Sequence, residues 1–160
     1  MTGRTAKTGN RIFNFKVIQS NCAGNVRGFP YRVLAVPEKF TLYELALEIL
    51  ASFEFDCDHA FGFYNNLTRY SQSSEGYEIF SDDEMGRDSD YPGVKMTPVT
   101  TAFTGIGKKM LFLFDYGDEW YFRVELIGIE PAGAGQSRAV CVKSVGEARP
   151  QYADLDDEEE

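Results

Sequence analysis

The chain has 160 residues, 43% of them hydrophobic and 14% aromatic, enough to bury a core. Its net charge of −9 excludes a general nucleic-acid-binding domain of basic character. No apolar run approaches the ~20 residues of a membrane-spanning helix.

Three cysteines, Cys22, Cys57 and Cys141, lack a CxxC spacing, which argues against a disulfide framework and a structural zinc site. Reduced thiols fit a cytoplasmic protein. The charge is uneven. Residues 1–40 hold seven Lys or Arg against Glu38 alone, a net +6, which leaves −15 for the remainder. The basic end is expected to pair with the acidic remainder, and any nucleic-acid binding through it should be weak and salt-labile.

Residues 1–10 are polar and basic with no apolar h-region, so they read as a disordered N-terminus and not as a secretory signal. Residues 11–152 are expected to form a single α+β domain, and residues 153–160 a disordered acidic tail. Arg11–Gln19 alternates Phe13, Phe15 and Val17 with Asn14 and Lys16, which predicts a strand with one buried face. Pro30–Val36 is expected to pair with it as a hairpin. Thr41 and Glu44 form a capping box. Behind it, Leu42, Leu45, Ala46, Ile49, Leu50 and Phe53 lie on one stripe, which predicts one main amphipathic helix against the sheet. His59–Tyr64 reads as a third strand. Hairpin, helix, strand is the order of a β-grasp, or ubiquitin-like, first half, in a mixed or antiparallel sheet.

Tyr77–Phe80 reads as a short strand, Ser81–Val94 as an acidic loop, and Thr97-Pro98 as the cap and first residue of a short helix through Phe103. Lys108–Ile129 carries a long β-hairpin. Gly117-Asp118 between apolar runs predicts a two-residue turn with positive φ at Gly117. Asp115 then faces Trp120, and Leu113 faces Phe122. Met110–Phe114 is apolar on both faces and should be interior to the sheet. Ala139–Lys143 is expected to be the last strand.

Three stretches, Phe53–Tyr64, Gly107–Trp120 and Val145–Tyr152, resemble the plasmid pRiA4b ORF-3-like family. The first holds Asp58-His59-Ala60-Phe61, matching an Asp-His-Leu-Tyr-like strand. The second holds Phe114-Asp115-Tyr116-Gly117-Asp118-Glu119-Trp120, matching a hairpin motif in which Phe114 replaces a leading Tyr. The resemblance implies a small α+β protein, in a family often found near mobile elements. It implies no activity, cofactor or catalytic residue.

The candidate binding surface is Asp56, Asp58, His59, Asp115, Tyr116, Asp118 and Trp120. Asp115 and Asp118 also suit turn chemistry. Asp56, Asp58 and His59 place two carboxylates and an imidazole together, the donor types of a metal site or an acid–base pair. A metal centre needs three or four converging ligands, and His59 has no evident partner in sequence. Acids flanking Cys57 raise a thiol pKa, so Cys57 reads as a poor nucleophile. The expected function is a non-catalytic binding or adaptor module without a cofactor. Its partner is expected to be a protein or small molecule rather than nucleic acid. A metal-dependent or acid–base enzyme and a nucleic-acid-associated protein of a mobile element are the alternatives.

Overall fold

The computed structural model describes residues 11–82 and 89–152, so the expectations for residues 1–10, 153–160 and the centre of the acidic loop lie outside the described residues. Seven strands form one antiparallel sheet: β1 Arg11–Gln19, β2 Tyr31–Pro37, β3 Phe61–Tyr64, β4 Gly76–Glu78, β5 Lys109–Phe114, β6 Trp120–Pro131 and β7 Val140–Val145. Their order across the sheet is β4-β3-β5-β6-β1-β2-β7. The fold is therefore α+β with few helices. The order hairpin, helix, strand is present along the chain. In space, however, β5 and β6 separate β3 from β1, and the ladders between the strands are antiparallel, so the sheet is not mixed.

The main helix α1, Leu42–Ser52, begins at the expected capping box: Thr41 accepts from the Glu44 N–H, and the Glu44 carboxylate accepts from the Thr41 N–H. Leu42, Leu45, Ala46, Ile49 and Leu50 are almost wholly buried against β1, β2 and β6 side chains such as Phe15, Val36 and Phe122. Each fully buried Leu or Ile contributes about 1.5–3 kcal/mol, so the stripe holds the helix on the sheet. α1 ends on Glu54, whose φ of 63° is left-handed. The Phe55 N–H bonds the Leu50 carbonyl at 2.8 Å and the Glu54 N–H bonds that of Ala51 at 3.0 Å, the paired bonds of a Schellman motif with Glu where Gly is usual. This turn drops Phe55 back into the core.

β5 is buried on both faces. Met110, Phe112 and Phe114 join the core under α1, while Leu111 and Leu113 join a smaller cluster with Tyr64 and Tyr121 on the opposite face.

The β5–β6 connection corrects the expected hairpin. Phe114 pairs with Trp120, Leu113 with Tyr121 and Phe112 with Phe122, which leaves residues 115–119 as a five-residue loop. Positive φ falls on Asp115 (67°) and Glu119 (59°), not on Gly117. Asp tolerates the left-handed region and can bond the backbone two residues on. The Asp115 Oδ1 accepts from the N–H groups of Gly117 (3.0 Å) and Asp118 (3.2 Å), and its carbonyl accepts from Glu119 N–H, so the turn starts two residues early. The one-residue change in pairing moves every β5 side chain to the other face relative to β6.

Smaller differences concern the ends of elements. Residues 56–60 form a loop, and the strand starts at Phe61. Helix α2 spans Val99–Ala102 with Pro98 as its cap, because Thr97 Oγ1 donates to the Gly93 carbonyl instead of capping. After β4, residues 79–82 make a 3-10 turn.

A candidate binding site at the loop end of the sheet

The antiparallel registers place several chain segments at one end of the sheet. They are the loop after β1, the end of α1 with the loop before β3, the β5–β6 loop, and the stretch after β7. The last of these, residues 146–152, runs across that end as a strap.

The strap is anchored at three points. At the first, Arg32, at the start of β2, donates to the carbonyls of Val145 and Gly146 and, through Nε, to that of Ser52 at the end of α1. At the second, the buried Gln19 side chain bonds both the N–H and the carbonyl of Arg149, and the Arg149 guanidinium donates to the carbonyls of Gln19 and Ser20. At the third, Gln151 bonds the Asp56 N–H and carbonyl, and Asp58 accepts from Gln151 Nε2 (3.0 Å) and from the Tyr152 hydroxyl.

Asp58 also bonds its neighbour: His59 Nδ1 lies 2.7 Å from Asp58 Oδ1, and 3.6 Å from Asp115 Oδ2. The His59 ring stands edge-on to Phe114 at 6.0 Å. The bond to Asp58, with the charges of Asp115, Asp58 and Asp118, raises the His59 pKa. The bonds from Tyr152 and His59 lower that of Asp58. Desolvation and then the Asp58 charge push the Cys57 thiol up, away from nucleophilic character.

Trp120 closes the middle. Its ring meets Phe55 edge-on at 4.8 Å, and the Arg149 guanidinium carbon sits 5.6 Å from its centroid. Trp120 Nε1 and Arg149 Nε are buried donors with no hydrogen-bond partner among the described residues. Both residues line a cleft of about 470 Å³ with Ser20, Asn21 and Asp118. A second cleft of about 590 Å³ lies across the strap, between Arg32, Asp56 and Tyr152.

Thus Asp58, His59 and Asp115 come together, with Asp118 and Trp120 beside them. Asp56 meets the strap through its backbone and lines the second cleft. Tyr116 parts from the rest. Its hydroxyl lies 2.5 Å from that of Tyr64, which donates to Glu78, in the aromatic cluster on the far face. Among the described residues, no group of three or more His, Cys, Asp or Glu side chains is arranged to hold a metal ion. The reading of the sequence missed Gln19, Arg149, Gln151 and Tyr152. The last three fall in the Val145–Tyr152 stretch that carries part of the family resemblance, which was the available signal.

Residues 27–155 match the family described as plasmid pRiA4b ORF-3-like protein. The chain belongs to the plasmid pRiA4b ORF-3-like family. The match takes in the three stretches 53–64, 107–120 and 145–152 and starts after β1, so Gln19 and Ser20 at this end lie outside it. No curated protein matches the chain. The structure is similar to a crystal structure of a protein of unknown function from Methanosarcina mazei Go1, with TM-score 0.67 and 20% identity, over 90% of this chain and 74% of that one. At that identity the likeness shows the fold alone. Among the described residues no helix is long and apolar enough to cross a membrane.

Proposed function

We propose that this member of the pRiA4b ORF-3-like family is a non-catalytic binding module, acting in the cytoplasm in association with a plasmid or other mobile element. Its ligand site is the loop end of the sheet. One observation carries the reading: the three stretches that mark the family, far apart in sequence, meet there, with Asp58 accepting from Gln151 and Tyr152, the Asp115 N–H bonding the Ala60 carbonyl, and the Arg149 guanidinium against the Trp120 ring. A constellation built from three segments and flanked by two clefts suits recognition.

The chemistry of the end narrows the ligand class. Asp56, Asp58, Asp118, Glu119 and Glu147 are all exposed there. That surface repels phosphate and favours positive charge on a ligand, while Trp120 Nε1 and Arg149 Nε call for an acceptor on it, a peptide or small molecule rather than nucleic acid.

The test is an amide-resolved NMR titration of the labelled chain with a fragment library and with basic peptides. Perturbations are expected at residues 56–60, 115–120 and 147–152, and Asp58→Ala should weaken them. Perturbations confined to another face would overturn the reading. Turnover that requires added Zn²⁺ or Mn²⁺ would replace it with the enzyme alternative. A DNA complex that survives ~0.2 M salt would replace it with the nucleic-acid one.

A further inference from the structure

Among the described residues β7 is an open edge of the sheet: it pairs with β2 on one side and ends the strand order on the other. Such an edge presents a row of backbone N–H and C=O groups ready for another strand. All of its residues are exposed, including Val140 (50%), Val142 (58%) and Val145 (39%).

The charge around this edge is opposite to that of the chain. Between Pro131 and Gly146 the only charged residues are Arg138 and Lys143, in a chain of net charge −9. Beside the edge, where Tyr31 pairs with Val145, lies a groove of about 500 Å³. Its walls include Val26, Phe29, Tyr31 and Val145, its charged residues are Lys16 and Arg27, and among the described residues no acid lines it. Two ammonium groups, Lys16 at 4.4 Å and Lys143 at 5.9 Å, reach the Tyr31 ring from β1 and β7. The acid opposite Lys16 in register, Glu125, has Lys109 at 3.9 Å.

We infer that β7 and this groove form a docking edge for an extended acidic segment of a partner protein, which adds to the sheet as an eighth strand. Backbone bonds along β7 supply affinity, and alternating side chains supply selectivity. Carboxylates on one face of the incoming strand meet Lys16, Arg27 and Lys143 beside Tyr31, and its aliphatic side chains lie on the other face, beside Cys141.

Charge also decides against a second copy of this chain. β7 carries no carboxylate, so a second copy pairing through it would bring no acid to Lys143 or to Lys16 and Arg27 of the groove.

The test uses the full chain and an N-acetylated octapeptide alternating Glu and Val, with the matching Lys–Val peptide as control. Calorimetry should show the Glu–Val peptide binding at ~0.05 M salt and weakening at ~0.2 M, and the Lys–Val peptide not binding. Amides of residues 140–145 should gain hydrogen-exchange protection. The double variant Lys16→Glu, Lys143→Glu should lose at least about tenfold in affinity while keeping its melting temperature. Equal binding of both peptides would overturn the inference, as would protection mapped elsewhere. Sedimentation showing a dimer that β7 protects without peptide would hand the edge to a second copy. Inorganic phosphate that shifts the same groove signals as the Glu–Val peptide, with no protection of β7, would reduce the site to a small-anion pocket and overturn strand addition.

Discussion

Gln19 and Arg149 are locked to each other although 130 residues separate them. The Gln19 amide oxygen accepts from the Arg149 N–H at 2.8 Å, and its amide nitrogen donates to the Arg149 carbonyl at 3.0 Å. The side chain thus acts as a short piece of backbone, extending the β1 ladder to the strap. Gln19 is fully buried, so a residue that cannot bond strands two backbone groups. Gln19→Leu should lower stability by about 1–3 kcal/mol in urea unfolding. It should also speed amide exchange at residues 147–152. Unchanged exchange there would show that Gln19 does not hold the strap.

A second test lies at the end of α1. Glu54 has φ 63° at the position where a Schellman motif prefers glycine. A left-handed L-residue costs roughly 1–2 kcal/mol, and glycine avoids that penalty. Glu54→Gly should therefore stabilise the chain by about 0.5–1 kcal/mol, net of glycine's larger unfolded-state entropy. A fall in melting temperature would mean that Glu54 makes a contact worth more than the strain.

The β5–β6 loop invites a paired substitution. Gly117 has ordinary φ, and an added Cβ would meet only Asp115 Oδ1 at 3.4 Å, so Gly117→Ala should change stability by less than about 0.5 kcal/mol. Asp115 is nearly buried, left-handed, and bonds two loop N–H groups. Asp115→Ala should cost about 2 kcal/mol, and Asp115→Asn should restore part of it through its remaining oxygen. If Gly117→Ala proved the worse of the pair in thermal melts, the turn would start at glycine after all.

The pH response of the strap follows from His59 and Asp58. His59 has a raised pKa in the folded chain, so its contribution is complete below the unfolded value near ~6.5 and is lost as pH rises through the folded value. Asp58 has a lowered pKa, so its contribution is complete above the unfolded value near ~3.9 and is lost as pH falls through the folded one. The strap should be held best between about pH 4 and pH 6.5. The chain has a single histidine, so one NMR signal reports it. That signal should titrate above ~6.5, and Asp58→Asn should bring it down towards that value. A wild-type midpoint at or below ~6.5 would dismiss the His59–Asp58 bond in solution.

Local physics made the elements legible from sequence. The span of β1 follows from its alternation, and the start and buried stripe of α1 follow from Thr41, Glu44 and the spacing of Leu42, Leu45 and Ile49. The burial of β5 on both faces follows from its unbroken apolar run. These signals act within one turn or one strand, so neighbours in sequence suffice to carry them. Family membership was also legible, because its motifs are local strings. What only the tertiary structure decided is pairing across distance. The β5–β6 register turned on one carboxylate, Asp115, choosing the backbone of Gly117 and Asp118. The candidate site turned on a strap whose anchors at Arg32, Gln19 and Asp58 are set by the sheet order β3-β5-β6-β1-β2-β7. Hydrogen bonds between residues a hundred positions apart have no periodicity to betray them, and they exist only once the core has brought their strands together.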